Sequence, residues 1–189
     1  MLAHMASEPV YQPITADDFL EMDFKSDRKF ELSNGVIRMM TGGSEPHAWV
    51  QGNILTWLRT RLRGSGCFPY GSEMGVRLSE VDVRYPDVSV RCAPRPQNGL
   101  GVRALDAPTL VIEVLSPSTA NFDQGAKLQE YQSIASIELV AFVDPESEQV
   151  RTLRRLDHLD WTDSKFAAVD LDLTPLGLVM PHAEIFARD

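Results

Sequence analysis

Cysteine and histidine are scarce in this chain: Cys67 and Cys92, with His4, His47, His158 and His182, are all that 189 residues contain. The histidines show no zinc spacing, and two cysteines cannot build a structural zinc site alone. The cysteines could in principle pair, but without a secretion signal two unbridged thiols are the expectation. No apolar run nears the roughly 20 residues that a membrane span needs. The amino terminus, MLAHMASEPVYQP, lacks a basic stretch followed by an apolar one, so the cytoplasm is the expected address. Repeats and low-complexity tracts are absent. So are the G-x-S-x-G elbow, the Walker A loop and the G-x-G-x-x-G turn, which sets aside the chemistry each would carry. Positive charge is also short: 18 Lys and Arg against 27 Asp and Glu leave a net −9. That balance argues against a simple electrostatic nucleic-acid binder. The basic clusters at Arg59, Arg61, Arg63 and at Arg151, Arg154, Arg155 read either as solvated faces or as local contact points.

What remains is an ordinary globular composition of a length that suits one α/β domain. A loose arm is expected over 1–12 and the domain over 13–189. Thr15 followed by Asp17 and Asp18 marks a short helix start. Asn34-Gly35 lies between apolar runs and predicts a β-hairpin. Its two-residue turn would pair Leu32 with Ile37 and Phe30 with Met39 on the core face, and set Glu31 opposite Arg38 on the other. A helix should run from about His47 to Leu62, with Pro46 in its first turn and Val50, Ile54, Leu58 and Leu62 as a buried stripe. Strands are expected over 70–78, 84–92 and 109–116, a helix over 123–135, and a strand over 139–143 with 149–156 folding back onto it. Apolar residues of the tail, up to Phe186, should pack on the sheet.

Three residues stand out against this pattern. Glu113 sits in Leu110-Val111-Ile112-Glu113-Val114-Leu115, a run that reads as a central strand covered on both faces. A carboxylate there costs several kcal/mol, on the order of a buried unpaired charge, unless it is paired, protonated or bound to metal. The blander reading places it half solvated at the strand end. Asp87 precedes Val88, Val90 and Cys92 and so points to the opposite face from them, although Pro-Asp is also a common turn pair. Lys127 borders the buried face of the second helix beside Tyr131 and Ile134. It either meets the carboxylates or runs out to water and pairs with Glu130. Together the three could satisfy one another around a cation. Glu31 reads equally as a cross-strand partner of Arg38 or as a further ligand or water-positioning base. His47 reads as a first-turn polar residue.

The segments Tyr85-Pro86-Asp87-Val88-Ser89-Val90, Val111 to Thr119, and Asp123 to Leu128 with Tyr131 resemble the Uma-two family. So do Phe30 to Gly35 and His47 at a helix start. This family groups small, mostly bacterial restriction-endonuclease-like proteins within the PD-(D/E)XK nuclease superfamily. The resemblance implies a restriction-endonuclease-like α+β core, a mixed sheet flanked by helices. It implies a metal-dependent endonuclease acting on nucleic acid, with DNA the expected partner, and with Mg²⁺, replaceable by Mn²⁺, on Asp87 and Glu113. Cutting two strands would suit a homodimer. The superfamily lysine expected two residues after Glu113 is replaced by Leu115, and the resemblance implies that Lys127 takes its role. The contrasting expectation is an inactive descendant that keeps the fold as a binding or scaffold module.

Overall fold

Asn34 and Gly35 take φ of +50° and +72°, as a tight turn of the primed type demands. The hairpin they close joins β1 (Phe30–Ser33) to β2 (Val36–Met39) in the expected register, Glu31 opposite Arg38 and Leu32 opposite Ile37. Only part of the expected core face is buried: Leu32 is fully enclosed, whereas Met39 is 51% exposed at the edge of the sheet. A side chain on Gly35 would collide with Pro13, its Cβ falling 2.2 Å from that ring's Cβ. The computed structural model describes residues 12–94, 101–116 and 123–188. The expected arm therefore lies almost wholly outside the described residues, as do Pro117, Ser118 and Thr119 of the resembling segment.

Helix α1 (Ala16–Glu21) begins where Thr15 accepts a hydrogen bond from the Asp18 amide, and it buries Phe19 against Leu32 and Val83. Helix α2 (Glu45–Arg61) buries Val50, Ile54 and Leu58. The strand expected over 70–78 is two, β3 (Cys67–Gly71) and β4 (Gly75–Ser79), separated by a turn in which the Met74 amide donates to the Gly71 carbonyl. That expected over 84–92 also divides, into β5 (Asp82–Arg84) and β6 (Val88–Cys92). Pro86 lacks the amide donor a continuing ladder would need. Then come β7 (Ala104–Leu105) and β8 (Leu110–Val114). A π-helical turn over Asp123–Lys127 leads into α3 (Leu128–Ser133). Strands β9 (Leu139–Asp144) and β10 (Gln149–Arg155) pair antiparallel as expected, followed by β11 (Trp161–Asp163), β12 (Leu171–Leu173), β13 (Leu178–Met180) and α4 (His182–Ile185).

Among the described residues, the larger sheet runs β11-β10-β9-β8-β6-β3 and a second runs β2-β1-β5-β4-β7. Strand β8 is central, antiparallel to β6 and parallel to β9, so the sheet is mixed. Alternation then divides its side chains. Ile112, Val114, Val88 and Val90 pack under α2 and the tail residues Leu171, Leu173, Met180 and Ile185. Val111, Leu115, Val140 and Phe142 pack under Leu128 and Tyr131 of α3. Glu113 shares the parity of Val111 and Leu115, which sends it to the α3 side.

The cysteines are not free thiols. The β3–β6 ladder sets Cys67 opposite Cys92, and the two form a disulfide. A separation of 25 residues hides the pairing from the sequence; only the strand register brings the sulfurs together. No helix among the described residues is long and apolar enough to cross a membrane. Denaturing the protein with and without reductant should show the bridged form more stable by about 2–4 kcal/mol, the usual effect of closing such a loop. Identical unfolding midpoints in the two conditions would contradict the pairing.

Candidate active site

Strand register assembles the two carboxylates. Val88 pairs with Ile112 and Ser89 with Val111, and one further step places Asp87 across from Glu113 on the same face. Just past β8 the Leu115 amide is used by Val143 of β9, and the Val114 amide, on the other edge, looks toward β6. There β6 has ended at Pro86, and Oδ2 of Asp87 accepts the Val114 N–H at 2.8 Å. Asp87 thus stands in for the missing carbonyl of a strand and is fixed by doing so.

The first turn of α2 reaches the same point. His47 Nε2 lies 3.2 Å from Asp87 Oδ2, and Gln51 Nε2 donates to the Asp87 carbonyl at 2.9 Å. His47 and Gln51 are four residues apart, so one helix face presents both. Gly43 backs the imidazole: a Cβ there would lie 2.5 Å from His47 Nδ1. Reading His47 as an ordinary first-turn residue overlooked this contact, although its spacing to Gln51 carried a signal.

Glu113 is 3% exposed, which rules out the half-solvated strand end. Its Oε1 accepts a 2.6 Å hydrogen bond from the Tyr131 hydroxyl and lies 3.3 Å from Lys127 Nζ. Lys127 is itself 7% exposed, so it does not escape to water. Nor does Glu130 take it, because Glu130 turns the other way, to Arg84. The π turn accounts for the position of Lys127: the helical wheel assumed a uniform α-helix, and the tighter α-helix begins only at Leu128.

Arg84 is the charged residue that sequence reasoning passed over. It is fully buried in β5 and grips Glu130 with Nε and Nη2 at 2.8 and 2.7 Å. It also reaches the Leu32 carbonyl, Ser33 Oγ and, at 3.3 Å, Glu31 Oε1. Burial pulls its pKa down, but the hydrogen bond to Glu130 and the charges of Glu31 and Glu130 outweigh that and hold it above the ordinary value. Glu31 therefore faces Arg38 in register while its carboxylate pairs with Arg84. It does not line the pocket into which Asp87 and Glu113 open.

That pocket, about 470 Å³, has Asp87, Glu113 and Lys127 on its floor, His47 on one wall and Arg28 and Lys29 at its rim. Burial raises the pKa of Tyr85, also in its lining, against a lowering by Arg103, so the phenol stays neutral at physiological pH. A larger hollow of about 890 Å³ follows the outer side of α2 past Trp49 and Trp57 but holds, among the described residues, a single carboxylate, Glu184. The expected arginine clusters are elsewhere. Arg59 lies about 18 Å along α2 from His47 at ~1.5 Å per residue. Arg151 pairs with Asp163, Arg154 with Asp172, and Arg155 caps the carbonyls of Gln132, Ile134 and Ile137.

No group of three or more His, Cys, Asp or Glu among the described residues could hold a metal ion by side chains alone. Two carboxylates facing each other beside the β6–β8 register, opening into a roomy pocket, nonetheless fit one kind of ion. Mg²⁺ is commonly held by one or two carboxylates with water and substrate phosphate completing the shell. The donor set does not suit a structural zinc site.

Tyr131→Phe removes a short bond to a buried carboxylate without changing the shape of the core. Urea unfolding should show a loss of about 1.5–3 kcal/mol, the range for hydrogen bonds to charged groups. Unchanged or greater stability would show that the hydroxyl does not hold Glu113.

Residues 16–182 match the profile of the Uma2 family, described as "Putative restriction endonuclease". An uncharacterized protein of Synechocystis sp. is 29% identical over 180 residues, covering 94% of this chain and 93% of the relative. A second from the same organism is 25% identical over 149 residues, 78% and 84% of the two chains. Among solved structures, a "putative nuclease belonging to DUF820" from Anabaena variabilis superposes with a TM-score of 0.70 at 21% identity, over 93% of this chain and 98% of that one. That likeness establishes the nuclease-type α+β fold. The profile spans nearly the whole chain, and the chain belongs to the Uma2 family.

Proposed function

We propose that this protein is a metal-dependent endonuclease that hydrolyses phosphodiester bonds of nucleic acid, with DNA as its substrate. The family's description supports a nuclease-like function. The observation that carries the finer reading is Glu113: a buried carboxylate, opposite Asp87, with an ammonium 3.3 Å away and a pocket in front. A core strand has no structural need of that charge, and aliphatic residues there would be cheaper.

In this reading Asp87 and Glu113 bind the divalent ion, Mg²⁺ or Mn²⁺ in its place. The ion supplies Lewis-acid polarisation of the scissile phosphate and lowers the pKa of water at the site. Asp87 is oriented by the Val114 amide and His47, and Glu113 by Tyr131, so neither must reorganise to bind. Lys127 holds its ammonium beside Glu113, where it can orient the attacking water and stabilise charge developing on phosphate oxygen. Glu31 acts at one remove, as a positioning residue: through Arg84 it helps set Glu130, the neighbour of Tyr131. Two copies of the chain would be needed to cut both strands at one locus. The nucleic acid makes the cytoplasm the natural place of work.

One observation favours the inactive module: Leu115 occupies the superfamily's lysine position and is buried among Leu128 and Tyr131. Calorimetry separates the readings. Wild type should bind Mn²⁺, and either Asp87→Ala or Glu113→Ala should abolish binding; a wild type without affinity for Mn²⁺ or Mg²⁺ leaves the module. Lys127→Ala should keep binding while nicking of plasmid or oligonucleotide falls by about 100-fold or more, the loss expected on removing one stabilising donor. Full activity in that variant would remove Lys127 from the chemistry.

A further inference from the structure

A chain at −9 must still attract a polyanion, and the pocket's own charges show how. Among the described residues its lining has three carboxylates, Asp27, Asp87 and Glu113, against three cations, Arg28, Lys29 and Lys127, with His47 counted neutral. The local balance is zero, and a divalent ion would bring it to +2. The three cations are not equivalent. Lys127 is engaged with Glu113 on the floor. Lys29 donates to Ser72 and pairs with the exposed Glu73 at 2.5 Å. Arg28 has no carboxylate within ion-pair distance among the described residues; its Nη1 meets Met39 Sδ at 2.9 Å, and a thioether is a weak acceptor.

Arg28 is also well placed in the backbone sense. Its amide is held by Ser26 Oγ, and the next residue, Lys29, accepts the Met40 amide and so continues the β1–β2 ladder. The exposed guanidinium thus stands beside the open end of a hairpin, in the lining of the same pocket as Asp87 and Glu113. A planar guanidinium matches phosphate oxygens in two-pronged fashion.

We propose that Arg28 is the backbone-phosphate anchor of this site. It would bind the phosphate adjoining the one held by Asp87, Glu113 and Lys127, so that the substrate is gripped as a phosphodiester chain and not through its bases. This rests on the nuclease reading above. It also favours the solvated-face reading of Arg59, Arg61 and Arg63, which lie at and just beyond the far end of α2.

The test is fluorescence anisotropy with short labelled single- and double-stranded oligonucleotides in Ca²⁺, at several salt concentrations. Wild type is compared with Arg28→Ala, Arg28→Lys and Arg59→Ala, each first confirmed as folded by thermal unfolding. Arg28→Ala should bind about tenfold more weakly at low salt, with a log–log salt slope shallower by about one. Arg28→Lys should recover the slope, because the charge returns, and Arg59→Ala should match wild type. If wild type binds and Arg28→Ala binds equally well with the same slope, the anchor is overturned while the nuclease reading stands. Equal weakening by Arg59→Ala would likewise overturn it in favour of a diffuse field. If wild type binds neither oligonucleotide, both fall.

Discussion

Glu113 puts a negative charge in the central strand of the larger sheet, with β6 on one side, β9 on the other and α3 above it. Burying such a group without partners is among the most expensive acts in folding. Much of the neighbouring architecture follows from that constraint. The π turn delivers Lys127, the first full turn of α3 delivers Tyr131, and both converge on one carboxylate oxygen. Asp87 meets its own constraint in a different way, by replacing the carbonyl that β6 no longer offers to Val114. The carboxylates are held by unrelated sets of bonds, so neither depends on the other for its place.

A second buried ion network joins the smaller sheet to α3. Arg84 leaves the smaller sheet, collects Glu31, the Leu32 carbonyl and Ser33 from β1, and closes on Glu130 of α3. Its fork fixes the helix that carries Tyr131. The hairpin that supplies Glu31 ends at the segment bearing Arg28. The segment bearing Arg28, the Arg84 network and the position of Glu113 are thus consecutive along one stretch of the structure.

Local signals in the sequence were sufficient for the local features. Asn34-Gly35 specified the hairpin and its register, the four-residue stripe specified α2, and a lone Glu among aliphatics identified the central strand. Asp87, Glu113 and Lys127 were legible because each broke a pattern, and the structure brings all three to one pocket. What escaped depends on contacts between distant segments. Arg84 looked like the start of a long strand, and its partners lie about 50 residues away on either side. The disulfide needs the β3–β6 register, and the break at Pro86 moves β5 into another sheet. Glu31 had two readings because its register partner, Arg38, was visible and its actual partner, Arg84, was not.

The proposed function turns on a pair of carboxylates that would hold one cation, and diffraction can address that without any assumption about substrate. Crystals soaked in Mn²⁺ and measured for anomalous scattering should show one strong peak between Asp87 and Glu113, within about 2.5 Å of an oxygen from each, the range for hard cations on carboxylates. The peak should vanish in Glu113→Gln crystals. A wild-type map with no peak there, with Lys127 and Tyr131 still closed on Glu113, would contradict the metal site and leave the buried carboxylate as a purely structural ion pair.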